Sequence, residues 1–238
     1  RNLAGLPVRI AVAPPDDPRF AHLSWNKVVR TGPNTLILAY VAGAFHGAHG
    51  GGSPAVSRSV DGGASFSPPE VLRRFGPELD YSCCGNLALG IAPDGALVLL
   101  AMAYTGDRAN HIFGWRSEDD GATWTQEAKL LPPDGATESY FGETLALSAE
   151  LVVVGAPGED FGTAYVFRHE AGTWVQEAKL LPTDGTNWAG FGRSVALLGD
   201  LAVVGATWTE HLCARPGAAY LFRRQGCIWT CLLYTSDA

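Results

Sequence analysis

The sequence predicts an all-β fold, and three observations support that prediction. Gly and Pro, the residues that mark turns, account for 29 and 15 of the 238 residues. Between these turn signals lie short runs of β-branched and aromatic residues, and no segment has the 3.6-residue apolar period of a long helix. A twelve-residue phrase also occurs twice, as WTQEAKLLPPDG from Trp124 and as WVQEAKLLPTDG from Trp174.

The repeated phrase belongs to an internal repeat with a period of about 50 residues. Further matches at the same offset are Phe141-Gly142 with Phe191-Gly192 and Gly155-Ala156-Pro157 with Gly205-Ala206-Thr207. Self-similarity at this period is typical of solenoids and propellers, in which each unit packs on its neighbours.

Each unit contains four strand-like segments separated by turn residues. In the first unit they are residues 144–147, 151–154, 164–167 and 174–180. In the last segment, alternation predicts Trp174 and Gln176 on one face and Glu177 on the other. Four antiparallel strands make one propeller blade. We therefore predict an all-β fold, a partial β-propeller of about four four-stranded antiparallel blades, with the repeated phrase as the same outer strand in two blades.

The motifs FG, GAP, AYVF and W-x-Q-x-A-K-L together resemble the FG-GAP repeat of integrin-like propellers. The motif residues are Phe141, Gly142, Gly155, Ala156, Pro157, Phe191, Gly192, Gly205 and Ala206. Many repeats of this family carry a calcium loop of alternating Asp and Asn between the second and third strands. Here the loop PGEDFG offers only Glu159 and Asp160, and calcium needs six to eight oxygens, so we expect no cofactor.

The N-terminal half contains a different repeated motif. SVDGGASF and SEDDGATW, 58 residues apart, share the pattern S-x-D-x-G-x-[ST]-[FW]. This pattern resembles the Asp box of the BNR repeats found in sialidases and other propellers. The pattern predicts a hairpin turn that its own side chains stabilise. Asp accepts hydrogen bonds from turn amides, Gly adopts a left-handed backbone conformation and the aromatic ring is buried. The motif residues are Ser59, Asp61, Gly63, Phe66, Ser117, Asp119, Gly121 and Trp124.

These resemblances divide the chain into three parts. We assign residues 1–123 to BNR/Asp-box propeller blades and residues 124–230 to FG-GAP propeller blades. Residues 231–238, CLLYTSDA, resemble a translated sequencing adapter and are expected to be a non-native tail. Trp124 belongs to both motifs, which fits either a hybrid propeller or a chimeric assembly of two propeller genes.

The sialidase resemblance implies a set of catalytic residues that the sequence supplies only in part. Such enzymes hold a substrate carboxylate with three Arg and use a Tyr nucleophile activated by Glu. Arg9 in LPVRIA resembles the Arg of the first blade, but Ala11 stands where the family has Pro. Asp80 and Tyr81 lie in a segment that could cross between blades. These three residues are the candidates for catalysis, and the rest of the set cannot be assigned.

Other residues allow a functional or a structural interpretation. His46 and His49 in FHGAHGGG suggest a metal, but a Gly-rich loop with two His and no third ligand is typical of a solvated turn. Trp188 and Trp208 fit either sugar-stacking platforms or burial between blades. Cys213 and Cys227 flank a predicted hairpin and could form a disulfide.

Composition narrows the function classes. The net charge is −7 and no run of Lys or Arg exists, which argues against nucleic-acid binding. No apolar run reaches the length of a transmembrane helix. We predict a non-enzymatic extracellular or cell-surface binding or adhesion module that recognises a protein or glycan with loops on one propeller face. The alternatives are the N-terminal part of a sialidase-like exo-glycosidase and a purely structural repeat module.

Overall fold

The computed structural model describes residues 12–14, 16–44, 51–105, 108–132, 134, 139–158, 162–182, 188–209 and 217–236. Sixteen of the strands in these ranges form four sheets, each with four antiparallel strands. The first two sheets contain β1 (His22–Arg30), β2 (Leu36–Gly43), β3 (Ser53–Ser59) and β4 (Glu70–Val71), then β5 (Cys83–Ile91), β6 (Leu97–Thr105), β7 (Arg108–Ser117) and β8 (Thr125–Leu130).

The other two sheets have the same order of strands. They contain β9 (Thr144–Ser148), β10 (Leu151–Ala156), β11 (Thr163–Glu170) and β12 (Thr173–Leu180), then β14 (Ser194–Leu198), β15 (Leu201–Ala206), β17 (Ala218–Gln225) and β18 (Ile228–Ser236). A two-stranded ladder of β13 (Trp188–Ala189) and β16 (Trp208–Thr209) accompanies the fourth sheet. The one helical turn in the described ranges is the 3-10 turn Pro18–Phe20.

The four sheets are the blades of a partial β-propeller, as the sequence predicted. The first strands of successive blades, β1, β5, β9 and β14, contact one another in order and form the inner wall. The fourth strand of each sheet pairs only with the third and is the outer strand. The ring is not closed. Both copies of the repeated phrase, as β8 and β12, occupy this outer position, which confirms their predicted equivalence.

The core lies between the blades, because a blade has two faces and a neighbour can cover each one. Three of the apolar clusters each join two successive blades. Representative buried residues are Val41 and Leu99 for the first interface, Leu100 and Val152 for the second, and Val153 and Ala202 for the third.

The FG and GAP motifs fix each inner strand to its own blade. Phe141 and Phe191 are fully buried, and their rings pack on Tyr165 at 5.6 Å and on Tyr220 at 5.2 Å. The amide of the glycine after each Phe donates a hydrogen bond of 3.0 Å to the carbonyl of the GAP glycine, Gly155 in the first copy. The motif therefore packs the start of each inner strand against the second and third strands of its own blade.

The predicted alternation along the outer strand is wrong at two residues. A β-bulge in β12 leaves Glu177 without a partner residue on β11, since Val166 pairs with Ala178 and Phe167 with Gln176. A bulge adds one residue to the strand, so the inward and outward alternation of side chains is out of phase on its two sides. The Glu177 side chain is consequently 4% exposed, and Gln176 faces solvent.

The two junctions predicted from sequence both lie inside blades. The boundary at residues 123 and 124 precedes β8, which pairs with β7 of the Asp-box half in a single sheet. Residues 231–236, within the expected tail, continue β18 and pair with β17 as an outer strand. The domain assignments and the foreign origin of the tail stay predictions.

Candidate functional site

The strand order collects the loops of functional interest at one end of the propeller. In an antiparallel meander, the loop between strands two and three and the linker to the next blade lie at the same end. We call this end the linker face and the opposite end, which carries the remaining turns, the turn face. Both Asp-box motifs follow third strands and lie on the turn face, whereas Asp80 and Tyr81 lie in the linker from blade 1 to blade 2.

Polar side chains from three blades meet where the inner strands begin on the linker face. Asn86 lies at a bulge of β5, and its side-chain amide donates a hydrogen bond of 3.2 Å to the Glu143 carbonyl oxygen. The Glu143 carboxylate forms an ion pair with the Arg193 guanidinium. A bulge in β1 places Asn26 at the position that corresponds to Asn86. These residues, which we call the axial cluster, give the inner wall a polar rim.

Repeat symmetry explains why this ion pair forms. Glu143 follows the first FG dipeptide and Arg193 follows the second, so they occupy the same position in successive blades. Equivalent positions of neighbouring blades are close together near the axis, and the two units carry opposite charges there. The contrast between FGE and FGR in the sequence is the signal that could have identified this pair.

Tyr104, at the linker end of β6, lies within electrostatic reach of the axial cluster. Burial raises the pKa of the Tyr104 phenol, the negative charge of Glu143 raises it further, and the positive charge of Arg193 opposes this effect. The phenol therefore stays protonated at neutral pH. Because Glu143 is paired with Arg193, the cluster offers hydrogen-bond donors and acceptors of mixed charge.

The structure does not bring the predicted catalytic candidates to this cluster. Arg9 lies outside the described residues. Asp80 is exposed on the linker. The Tyr81 ring packs edge-on against Phe113 at 5.0 Å and His111 at 5.1 Å, away from any carboxylate partner in the described ranges.

The Asp boxes form closed hydrogen-bonded turns. Asp119 accepts hydrogen bonds from the Thr123 hydroxyl at 2.6 Å, the Thr123 amide at 2.8 Å and the Ser117 hydroxyl at 2.8 Å. The Thr123 bonds lead the effects that lower the pKa of Asp119 to about 2. Gly121, with φ of 76°, donates its amide to the Ser117 hydroxyl at 2.9 Å. Asp61 is held in the same way by Ser59 and Ser65. These carboxylates lie on the turn face and are therefore at the opposite end of the propeller from the linker face.

The remaining candidates lie wholly or partly outside the described residues. Glu159, Asp160, His46, His49 and Cys213 are among the residues that are not described. The backbones of Trp188 and Trp208 belong to the β13–β16 ladder, but their side chains are not described. Within the described ranges no group of three His, Cys, Asp or Glu side chains is placed to hold a metal ion. In the same ranges no helix has the length and hydropathy to cross a bilayer.

Comparison with known proteins supports the repeat and the fold. The family model described as the FG-GAP repeat matches residues 124–167 and 174–222. Each match begins with an outer strand and continues through the first three strands of the next blade, so the sequence unit is offset by one strand from the structural blade. A search of curated proteins gave no significant match.

Three solved structures share the fold at low sequence identity. The NanB sialidase from Streptococcus pneumoniae has a TM-score of 0.62 at 10% identity, over 98% of this chain and 54% of its own. The Trypanosoma rangeli sialidase gives 0.55 at 13%, over 88% and 37%. Sucrose-6-phosphate hydrolase from Lactobacillus gasseri gives 0.54 at 13%, over 91% and 50%.

The chain spans about half of these structures or less, and their names cover different substrates, so the likeness is one of fold. The chain is a partial β-propeller of four blades, in which two successive units match the FG-GAP repeat.

Proposed function

We propose that this chain is a non-enzymatic, extracellular or cell-surface binding module that recognises a protein or glycan ligand with its linker face. The observation that supports this proposal most is the composition of the axial cluster. It contains one Arg in the described residues, and that Arg forms an ion pair with Glu143. Such a cluster can position a polar ligand, whereas the sialidase scheme needs several Arg free to bind a carboxylate.

A sialidase-like exo-glycosidase is the second candidate. It is favoured by the likeness of fold to the two sialidases. A chimeric origin of the two halves is a separate hypothesis, which sequencing reads across residues 122–126 would test.

Hydrolysis of a fluorogenic sialoside separates the two candidates. We expect no turnover above background, since the Glu143 carboxylate is held in an ion pair with Arg193. Turnover that Arg9→Ala abolishes would assign the chain to the enzyme class.

Binding can be measured on an array of neutral and sulfated glycans that contains no uronates. We expect Arg193→Ala to reduce the signal of the bound glycans at least about fivefold, because it removes the exposed cation of the axial cluster. The control is Glu118→Ala, an exposed change on the turn face. Equal signals from both variants would contradict a linker-face site.

A further inference from the structure

A second group of charged and aromatic residues lies away from the axial cluster, at the outer side of the interface between blades 1 and 2. We call it the Tyr81 cluster, and it consists of Arg73, Phe75, Tyr81, His111, Phe113 and Lys129. The Arg73 guanidinium lies 4.3 Å from the centre of the Phe113 ring and 5.6 Å from that of Tyr81. The Lys129 ammonium lies 5.5 Å from the Tyr81 ring centre. Two cations therefore share one tyrosine.

Neither cation has a carboxylate partner in the described part of the chain. The polar contact of Arg73 is with the neutral Gln126 side chain, at 3.0 Å. Glu78 and Asp80 are exposed on the same linker, yet neither forms an ion pair with Arg73 or Lys129 in the described ranges. Two cations that contact the same ring, without a counter-ion in the described ranges, favour the binding of an anion beside that ring.

The repeat provides an internal comparison, because Lys179 occupies in blade 3 the position that Lys129 occupies in blade 2. The Lys179 ammonium lies 2.7 Å from Asp134 Oδ2 and 5.6 Å from the centre of the Tyr165 ring. The same carboxylate oxygen accepts a hydrogen bond of 2.7 Å from the Tyr165 hydroxyl. In blade 3 a carboxylate from the chain itself thus binds both the lysine and a tyrosine.

Blade 2 has the lysine and a tyrosine, but among its described residues no carboxylate takes the place of Asp134. Phe113 stands at the position of Tyr165, and Tyr81 packs on it and provides the phenol. Arg73 adds a second cation with a planar fork that matches a carboxylate. We propose that Arg73, Lys129 and Tyr81 form a binding site for the carboxylate of an acidic sugar.

The neutral groups around the cations favour a sugar acid over an acidic peptide side chain. The Tyr81 hydroxyl and the Gln126 amide nitrogen make no hydrogen bond within the described ranges, and both can bond sugar hydroxyls. An Asp or Glu side chain would fill the cationic part of the site and leave these groups to water.

Isothermal titration calorimetry with trigalacturonate tests this site. We expect saturable binding that weakens as salt is added, and a loss of affinity of about tenfold or more in Lys129→Met. The matched control is Lys179→Met, which should stay within about twofold of wild type because Asp134 already occupies that lysine. Arg193→Ala should also leave this affinity unchanged, which separates the Tyr81 cluster from the axial cluster.

Three results would overturn the proposal. One is an absence of trigalacturonate binding by the wild-type chain. Another is equal binding of the fully methyl-esterified trisaccharide, which has no carboxylate. The third is equal or tighter binding of triglutamate, which would assign the site to acidic peptides. Circular dichroism of each variant verifies folding, and Lys129→Met is the preferred variant because Lys129 is exposed while Arg73 packs on the buried Phe113.

Discussion

At the scale of single residues, Glu177 shows how one side chain joins two blades. Its carboxylate accepts hydrogen bonds from Arg168 of blade 3 at 3.0 Å, and from Arg224 at 2.7 Å and Trp229 at 2.8 Å, both of blade 4. Glu127, at the same repeat position, accepts from the Trp174 indole at 3.2 Å. The Trp124 indole nitrogen is buried without a hydrogen-bond partner in the described ranges. The short β4 of the preceding blade contains Glu70, which pairs with Val56 and does not bond this nitrogen.

Replacing Glu177 with alanine is expected to lower the free energy of unfolding by about 2 kcal/mol, because the partly buried guanidinium groups of Arg168 and Arg224 each lose one of two carboxylate partners. Gln176→Ala, the exposed neighbour, should change it by no more than about 0.5 kcal/mol. Urea denaturation followed by tryptophan fluorescence measures both. Equal losses in the two variants would show that the carboxylate contributes nothing specific.

The Glu177 contribution should also depend on pH. Burial acts to raise the pKa of this carboxyl, but hydrogen bonds from Arg224 and Trp229 outweigh it, and the folded-state pKa lies below the ordinary value. A lowered folded-state pKa stabilises the fold above the unfolded pKa of about 4.3, and the contribution is lost as the pH falls through the folded value. Wild type should therefore lose more stability on acidification than Glu177→Gln.

At the scale of elements, the linkers and bulges determine how the strands meet. Gly192 has φ of 94°, and a Cβ there would overlap the Thr163 carbonyl oxygen of the preceding blade. Gly172 has a similar φ of 81° but open space around it. The two glycines therefore share the backbone requirement and differ in their surroundings.

This difference leads to a test. Gly172→Ala should cost about 1 kcal/mol for its left-handed backbone. Gly192→Ala should cost about 2 kcal/mol more, because the linker must move away from blade 3. Thermal unfolding of both variants gives the difference, and equal costs would show that the FG linker is not tightly packed.

Much of the strand content could be predicted from the sequence because local pattern determines it. Leu151 to Val154 is a continuous apolar run, and it forms a strand buried on both faces. The bulge at Glu177 could not be predicted, since register depends on the partner strand. The FG dipeptide Phe75-Gly76 was not recognised as part of the repeat. More residues separate it from its inner strand, β5, than separate Phe141-Gly142 from β9. Phe75 nevertheless packs on Phe113 at 5.9 Å, as Phe141 does on Tyr165.

The axial cluster and the Tyr81 cluster could not be predicted from the sequence, for a related reason. Asn86, Glu143 and Arg193 lie on three different blades, and only the radial arrangement brings them together. Tyr81 was identified because it lies in a segment that could cross between blades, but its cationic neighbours come from positions 8 residues before it and 48 residues after it. Such contacts follow from the topology of the fold and cannot be predicted from the spacing of residues along the sequence.

At the scale of the whole molecule, stability depends on the stacking of blades in order. Val153 of blade 3 is fully buried, whereas Val203, its repeat counterpart in blade 4, is 40% exposed. The difference arises because blade 4 packs on blade 3 and no described blade packs on the outer face of blade 4. Residues at equivalent positions of the repeat therefore differ in burial according to the position of their blade in the propeller.

Two double-mutant cycles test this order most directly. One combines Glu127→Gln with Trp174→Phe, and the other combines Glu177→Gln with Trp229→Phe, each measured by urea denaturation. If the repeated phrases are equivalent outer strands of adjacent blades, each cycle should give a coupling of about 1.5 kcal/mol, as for a hydrogen bond to a charged group. The crossed cycle of Glu127→Gln with Trp229→Phe should be additive. No coupling in the matched cycles, or equal coupling in the crossed one, would contradict the stacked-blade arrangement.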